Sequence, residues 1–554
     1  PFVPYFGKNT VRYTKFDWHI YKTDHFEIFY YPTIEPHLER IAAYAENAYQ
    51  HISSELKHDL PFRVPMVLFK TQSEFQSQNI SGGELPEGVL AFAEPERNRM
   101  VLPIDEPPDQ LYRLITHELT HVFEFDIIPR GIVGASLPLW MDEGLANYMA
   151  GYWNVLDLMQ VRDAALSDNV PKISEFESQP LSGRLPYSMG HAVFEFIETK
   201  WGKDGLRQFL FSIRKSVIGG GESAYEEALK VAPEEFDEQF DRYLKERFKA
   251  FRDKERPADY GRNLAPNPRH NRSLTTVLAI EASPSGDMYA AVMGNRKDQE
   301  LDIIIVSARN GEVIRNLTEG FDKDRGFEYI ATAGGLRGNL VPWIAWQASE
   351  PGDRVAYFVR TEKDKTLIVQ NVIDRRVDFR IPLKTVDGPE SPAFSPDGKF
   401  VAFSALRDGV SDIYTVELTT GAIKNVTNDR FADYSPTFAP NGRTLVYTAR
   451  ISSNDKLFQL DLASGQKKQL TFGAHDDTAA KHVDDNILLF TSTAIPPTPP
   501  LPQEVARNAN MPNAWTLDLR SGELHQWTDT VTGNISAVPV RGSGPPRIGF
   551  VSFY

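Results

Sequence analysis

His117-Glu118-Leu119-Thr120-His121, followed by Trp140-Met141-Asp142-Glu143-Gly144, is the part of this chain on which its reading turns. On an α-helix, positions i and i+4 stand one above the other, so His117 and His121 can send ring nitrogens to a single point. Glu118 lies beside them, close enough to act on a water without being a ligand itself. Glu143 comes 22 positions after His121 and is the natural third ligand for a metal held by the two imidazoles. Asp142 is the alternative. One residue away, it points about 100° elsewhere on a helix.

The surroundings support a helix. Pro107 and Pro108 punctuate its start, Asp109 is the expected N-cap, and Tyr112, Ile115, Leu119, Val122 and Phe123 fall on one arc that would face a core. A second helix from about Leu139 would carry Glu143, with Trp140, Leu145 and Met149 packing inward. The stretch 129–138 joins the two.

HELTH followed by WMDEGLANY resembles the gluzincin metallopeptidases, the thermolysin-like clan, over roughly the first 260 residues. The resemblance implies an α+β metallopeptidase fold, a Zn2+ ion on His117, His121 and Glu143, and Glu118 as general base. The segment Leu185-Pro186-Tyr187-Ser188-Met189-Gly190-His191 resembles the gluzincin segment whose tyrosine meets the substrate oxyanion. That adds Tyr187, and secondarily His191, to the catalytic set. The strand, or bent pair of strands, expected within 88–103 just before the metal helix is either a plain core strand or similar to the gluzincin edge strand that binds extended substrate. The Gly-x-Met-Glu-Asn stretch of the aminopeptidase branch is not found, which favours cleavage within chains over removal of terminal residues.

Composition bounds the rest. A chain of 554 residues exceeds one ordinary domain, and a hydrophobic content of 41% with 11% aromatics supplies sizeable cores. Sixty basic against 75 acidic residues give a net charge of −15, which opposes docking on nucleic acid or anionic lipid. With no Cys, any zinc must be held by nitrogen and oxygen. No apolar run of 18 residues occurs, so no membrane-spanning segment is expected. A first residue of Pro rather than Met suggests that a leader was removed or left out, and a trimmed chain would look the same.

In chain order, alternating positions 16–20 and 26–30 read as two strands, 36–60 as a helix, and 64–70 as a third strand. After Glu143 the chain reads as helical to about 254. Prolines 257, 266 and 268 break both periodicities. Beyond them, Ser391-Pro392-Ala393-Phe394-Ser395-Pro396-Asp397-Gly398 recurs 44 residues later as Ser435-Pro436-Thr437-Phe438-Ala439-Pro440-Asn441-Gly442. Each copy leads into short strands with Gly turns, the period of a propeller blade. Further units begin at 282 and include 346–359 and 487–522, with a sixth starting at Ile535. The Pro and Asp/Asn-Gly positions have a turn role. The Pro-rich run 496–502 reads as a surface connection or docking segment.

These Phe-Ser-Pro-Asp-Gly units resemble TolB-like propeller repeats. The expected architecture is multidomain: an α+β thermolysin-like metallopeptidase domain over 1–260, a linker over 261–273, and an all-β propeller over 274–554 with five blades and part of a sixth. The expected activity is zinc-dependent endopeptidase cleavage of a peptide or protein substrate. The propeller would recognise substrate or an envelope protein partner, and the TolB resemblance implies a periplasmic or cell-surface location. A catalytically inactive envelope scaffold is the competing reading, and a hydrolase acting on other bonds is a third.

Overall fold

A computed structural model describes residues 16–70, 74–75, 91–104, 108–128, 137–151, 153, 155–173, 185–219, 223–297, 300–319, 329–330, 342–349, 352–360, 365–407, 410–429, 431–451, 454–494, 511–542 and 545–552. The loop 129–136 and the Pro-rich run 496–502 lie outside them. The chain divides into two compact units, Pro1–Arg252 and Asp253–Tyr554. No described helix is long and apolar enough to cross a membrane.

The first unit is an α/β region built on a five-stranded sheet of order β1-β2-β3-β5-β4. Strands β1 (His19–Lys22) and β2 (Phe26–Tyr30) form an antiparallel hairpin. Strand β3 (Val64–Phe69) lies parallel to β2 and to β5 (Arg99–Pro103), while β4 (Phe92–Glu94) runs antiparallel to β5 at the edge. A parallel step needs a crossover. Helix α1 (Leu38–Leu56) provides it, burying Leu38, Ile41, Ala45, Tyr49 and Ile52 on one stripe, and ends at Lys57 in the left-handed conformation. Because β3 is central, its residues are buried on both faces, hence Val-Pro-Met-Val-Leu-Phe rather than alternation.

Helix α2 (Pro108–Ile127) carries the two histidines. It starts at Pro108, one residue before the expected cap. Leu111, Ile115, Leu119, Val122 and Phe123 are buried, but Tyr112 is not, since its hydroxyl reaches Asn47 Oδ1 on α1 at 2.8 Å. His58 Nε2 and Asp126 Oδ2, 2.6 Å apart, tie the residue just past α1 to the last turn of α2. Helices α3 (Leu139–Met149), α4 (Val155–Leu166), α5 (Leu185–Gly219) and α6 (Pro233–Phe248) follow. Helix α5 breaks at Gly202, where φ is 70°.

The second unit is all-β. Among the described residues, five antiparallel blades occupy 274–316, 329–382, 387–425, 432–469 and 477–526, four-stranded except the second, which has five strands, and a two-stranded sheet, Ile535–Val540 with Arg547–Val551, comes last. Gly398 and Gly442 have φ of 68° and 71°, the left-handed turns that the Asp/Asn-Gly pairs require. In the second blade the inner strand is split: Tyr329–Ile330 and Ala345–Trp346 both pair with Arg354–Arg360. The proline-bearing stretch at the start of this unit is pinned to the propeller. Lys254 pairs with Asp529, the Val531 amide donates to the Glu255 carbonyl at 2.9 Å, and the Asp529 amide donates to the Tyr260 hydroxyl at 2.8 Å.

Candidate metal centre

The heptad-like spacing of α2 turns Leu111, Ile115, Leu119 and Val122 to the core and leaves His117 and His121 on another face. Their rings lie edge to face with centroids 5.0 Å apart. Helix α3 crosses this face because two glycines allow it. A methyl group on Gly190 of α5 would lie 1.8 Å from the Trp140 carbonyl oxygen, and one on Gly144 would lie 2.5 Å from the Gly190 Cα. With the backbones in contact, α3 is held where Glu143 reaches the histidines.

The Glu143 Oε2 atom is 3.2 Å from His117 Nε2 and 3.7 Å from His121 Nε2. Bonds of about 2.0–2.1 Å in a tetrahedral zinc site put ligand atoms about 3.3 Å apart, so Glu143 Oε2 stands from each imidazole near the distance that one small cation requires. All three lie within 4.8 Å of one another, which makes His117, His121 and Glu143 one of two groups among the described residues that could hold a metal ion. Two imidazoles and a carboxylate suit zinc among the common divalent ions.

The other group, His121 with Glu124 and Asp142, shares a ring with the first. Here the contact is to the opposite nitrogen: Glu124 Oε2 is 2.8 Å and Asp142 Oδ1 is 3.3 Å from His121 Nδ1. Asp142, the alternative third ligand, therefore sits behind His121, on the side away from Glu143. Nothing in the sequence reading singled out Glu124, although its i+3 spacing from His121 was a usable signal.

Electrostatics follow burial. Burial raises the Glu118 carboxyl above its usual range, and the neighbouring His117 and His121 only partly oppose this. Burial also works against ionising Glu143, yet hydrogen bonds from His117 and His121 hold it far below the carboxylate range. In the same way burial disfavours a charged His121, but Asp142, Glu124 and Glu143 raise it well above an ordinary imidazole. Burial pushes Glu124 up to about 8.

Of the remaining candidates, Tyr187 stands half-buried in the first turn of α5. His191, one turn on, is 6% exposed and stacked on Trp153 at 3.9 Å, with Tyr148 edge-on. Burial, then the charges of Arg247 and Arg113, hold it neutral down to about pH 3.

Residues 337–495 match the TolB beta propeller domain family, PD40. No curated protein matches the chain. Similar solved structures include TolB from Acinetobacter baumannii, with 17% identity over 49% of this chain and 60% of that one at a TM-score of 0.32. A putative TolB from Agrobacterium tumefaciens shares 15% identity over 50% of this chain and 90% of that one, TM-score 0.35. A puromycin-hydrolysing peptidase from Mycobacterium tuberculosis shares 14% identity over 48% and 38%, TM-score 0.33. The chain thus spans about 60% of the length of the Acinetobacter TolB. By its repeats and its blades, the second unit is a TolB-like β-propeller, carried in a multidomain chain behind an α/β region.

Proposed function

We propose that the first unit is a zinc-dependent peptidase of the gluzincin type, acting within peptide chains. The observation that carries this reading is the convergence of His117 Nε2, His121 Nε2 and Glu143 Oε2 beside the buried Glu118. His117, His121 and Glu143 would hold the ion. When bound there, zinc supplies Lewis acidity, polarising a carbonyl oxygen and acidifying water.

The chain's own residues do the rest. Glu118, whose carboxyl burial makes more basic than usual, takes the proton of the attacking water and returns it to the leaving nitrogen. A positioned acid-base group of this kind is typically worth about 10² to 10⁴ in rate. Tyr187, through its hydroxyl, donates a hydrogen bond to the oxyanion. Strand β4 supports extended binding of substrate: among the described strands it is the edge strand, paired with β5, and a peptide backbone would add along its other side. The propeller serves recognition of a substrate or an envelope protein, and the TolB likeness favours a periplasmic or cell-surface setting.

Metal analysis by mass spectrometry, paired with internally quenched peptides blocked at both ends, tests the reading. One zinc per chain and cleavage of blocked peptides are expected. Cleavage only of free amino termini would remove the endopeptidase assignment, and stoichiometric zinc without any hydrolysis across a peptide library would leave the scaffold reading.

A further inference from the structure

The contact between Glu124 and His121 has a chemical meaning beyond the ligand set. Glu124 is 2% exposed, and a carboxyl group so buried is costly unless something compensates it. It lies on the helix of Leu119, Val122 and Phe123, where an apolar residue would pack without that cost. Among the described residues its Oε1 atom has no hydrogen-bond partner, and its closest contact is through Oε2, 2.8 Å from His121 Nδ1. Asp142 reaches the same nitrogen from α3 at 3.3 Å.

A neutral imidazole has one N–H and one lone pair. With the hydrogen on Nδ1 donated to Glu124, the lone pair is on Nε2, the atom that faces Glu143. Turning the ring over would break the Glu124 bond and aim the wrong nitrogen at the site. Among the described residues, His117 has no such carboxylate on its Nδ1, so the anchoring is particular to His121.

We propose that Glu124 is a positioning residue for the metal centre, fixing the tautomer and rotation of His121 from behind while Asp142 couples the same ring to α3. This rests on the metal reading given above. Outer partners of ligating histidines typically change metal affinity by about 10- to 100-fold when removed.

Zinc affinity of the full chain, measured by competition with a chromophoric chelator at pH 7.5, tests it in three variants. His121→Ala should abolish stoichiometric binding. Glu124→Ala should weaken it by about 10- to 100-fold. Glu124→Gln, whose amide oxygen can still accept from Nδ1, should recover most of the loss. Unchanged affinity in Glu124→Ala, with binding abolished in His121→Ala, overturns the positioning role and leaves the metal site standing. Wild-type protein that takes up no zinc overturns the metal reading itself. Should Glu124→Ala fail to fold, the cobalt-loaded wild-type chain gives an independent readout. Its two histidine N–H resonances should differ, that of His121 being protected from solvent exchange and that of His117 not; equal exchange rates overturn the proposal.

Discussion

Gly144 and Gly190 touch backbone to backbone, with the Gly190 Cβ position only 2.7 Å from the Gly144 Cα and 1.8 Å from the Trp140 carbonyl oxygen. No side chain, not even a methyl, fits between α3 and α5, and Glu143 is the residue next to this crossing. Gly190→Ala should therefore do two things at once. Overpacking of this kind costs about 1–3 kcal/mol, and the forced separation should also move Glu143 away from the histidines. Thermal unfolding and zinc titration of the same variant check both; a variant that is destabilised yet keeps full zinc affinity would show that the crossing does not govern Glu143.

Glu118→Gln separates chemistry from metal binding. Glu118 is not among the converging ligand atoms, so zinc content should be unchanged while kcat falls by at least about 10². His117→Ala should lose the metal and the activity together. Mass-spectrometric zinc analysis beside a quenched-peptide assay distinguishes the two patterns, and an active Glu118→Gln enzyme would refute its role as base.

Protons should compete with zinc at His121. Although burial opposes its charge, Asp142, Glu124 and Glu143 raise this imidazole well above 6.5, and a protonated Nε2 cannot ligate. Below the raised pKa, each unit of acidification should lower zinc affinity about tenfold for the one proton displaced. Retention measured at buffered free zinc from pH 8 to 5 checks this, with a flat profile as the contrary result.

The propeller contains an unmatched carboxyl. At the seam of the fourth and fifth blades, Lys456 Nζ meets Asp477 Oδ2 at 2.9 Å, and at the next seam the Asn534 amide donates to Thr528 Oγ1 at 2.7 Å and Asn513 Oδ1 at 3.2 Å. The corresponding place between the third and fourth blades holds two acids, Asp412 and Asp433. Burial first, then the Asp429 and Asp412 carboxylates, raise Asp433 well above its usual range, against a hydrogen bond from Thr427 and the nearby Lys467. A group whose folded pKa is raised contributes its full stabilisation only below the unfolded value of 3.8, and loses it by at most about 1.4 kcal/mol per pH unit as pH rises from there to the folded pKa. Asp433→Asn should flatten this dependence and raise the melting point of the propeller at alkaline pH. Identical pH–melting profiles for the two proteins would contradict it.

Much of this was legible from residue spacing. His117 and His121 at i and i+4 announce a shared face, and the 44-residue recurrence from Ser391 to Ser435 announces blades, because helical period and turn chemistry are local properties of the chain. Other features were hidden for the same reason. Glu124 reads in sequence as one more helix carboxylate, and its role exists only because α3 brings Asp142 and Glu143 to opposite nitrogens of one ring. Ser391, Ser435, Ala479 and Ser536 adopt φ of 50° to 57° at shifts in register of the inner strands, which no strand pattern foretells. For His191 a helix start left packing and chemistry both open in sequence, and only the fold shows its ring stacked on Trp153.

By itself the sequence determined which helix could present two imidazoles, where the propeller repeats run and which turns need glycine, since each depends on neighbours a few positions apart. Only the tertiary structure decided that Glu143 faces Nε2 while Asp142 and Glu124 back Nδ1, because that choice depends on how closely α3 and α5 approach, and the approach is set by two glycines 46 positions apart in the chain.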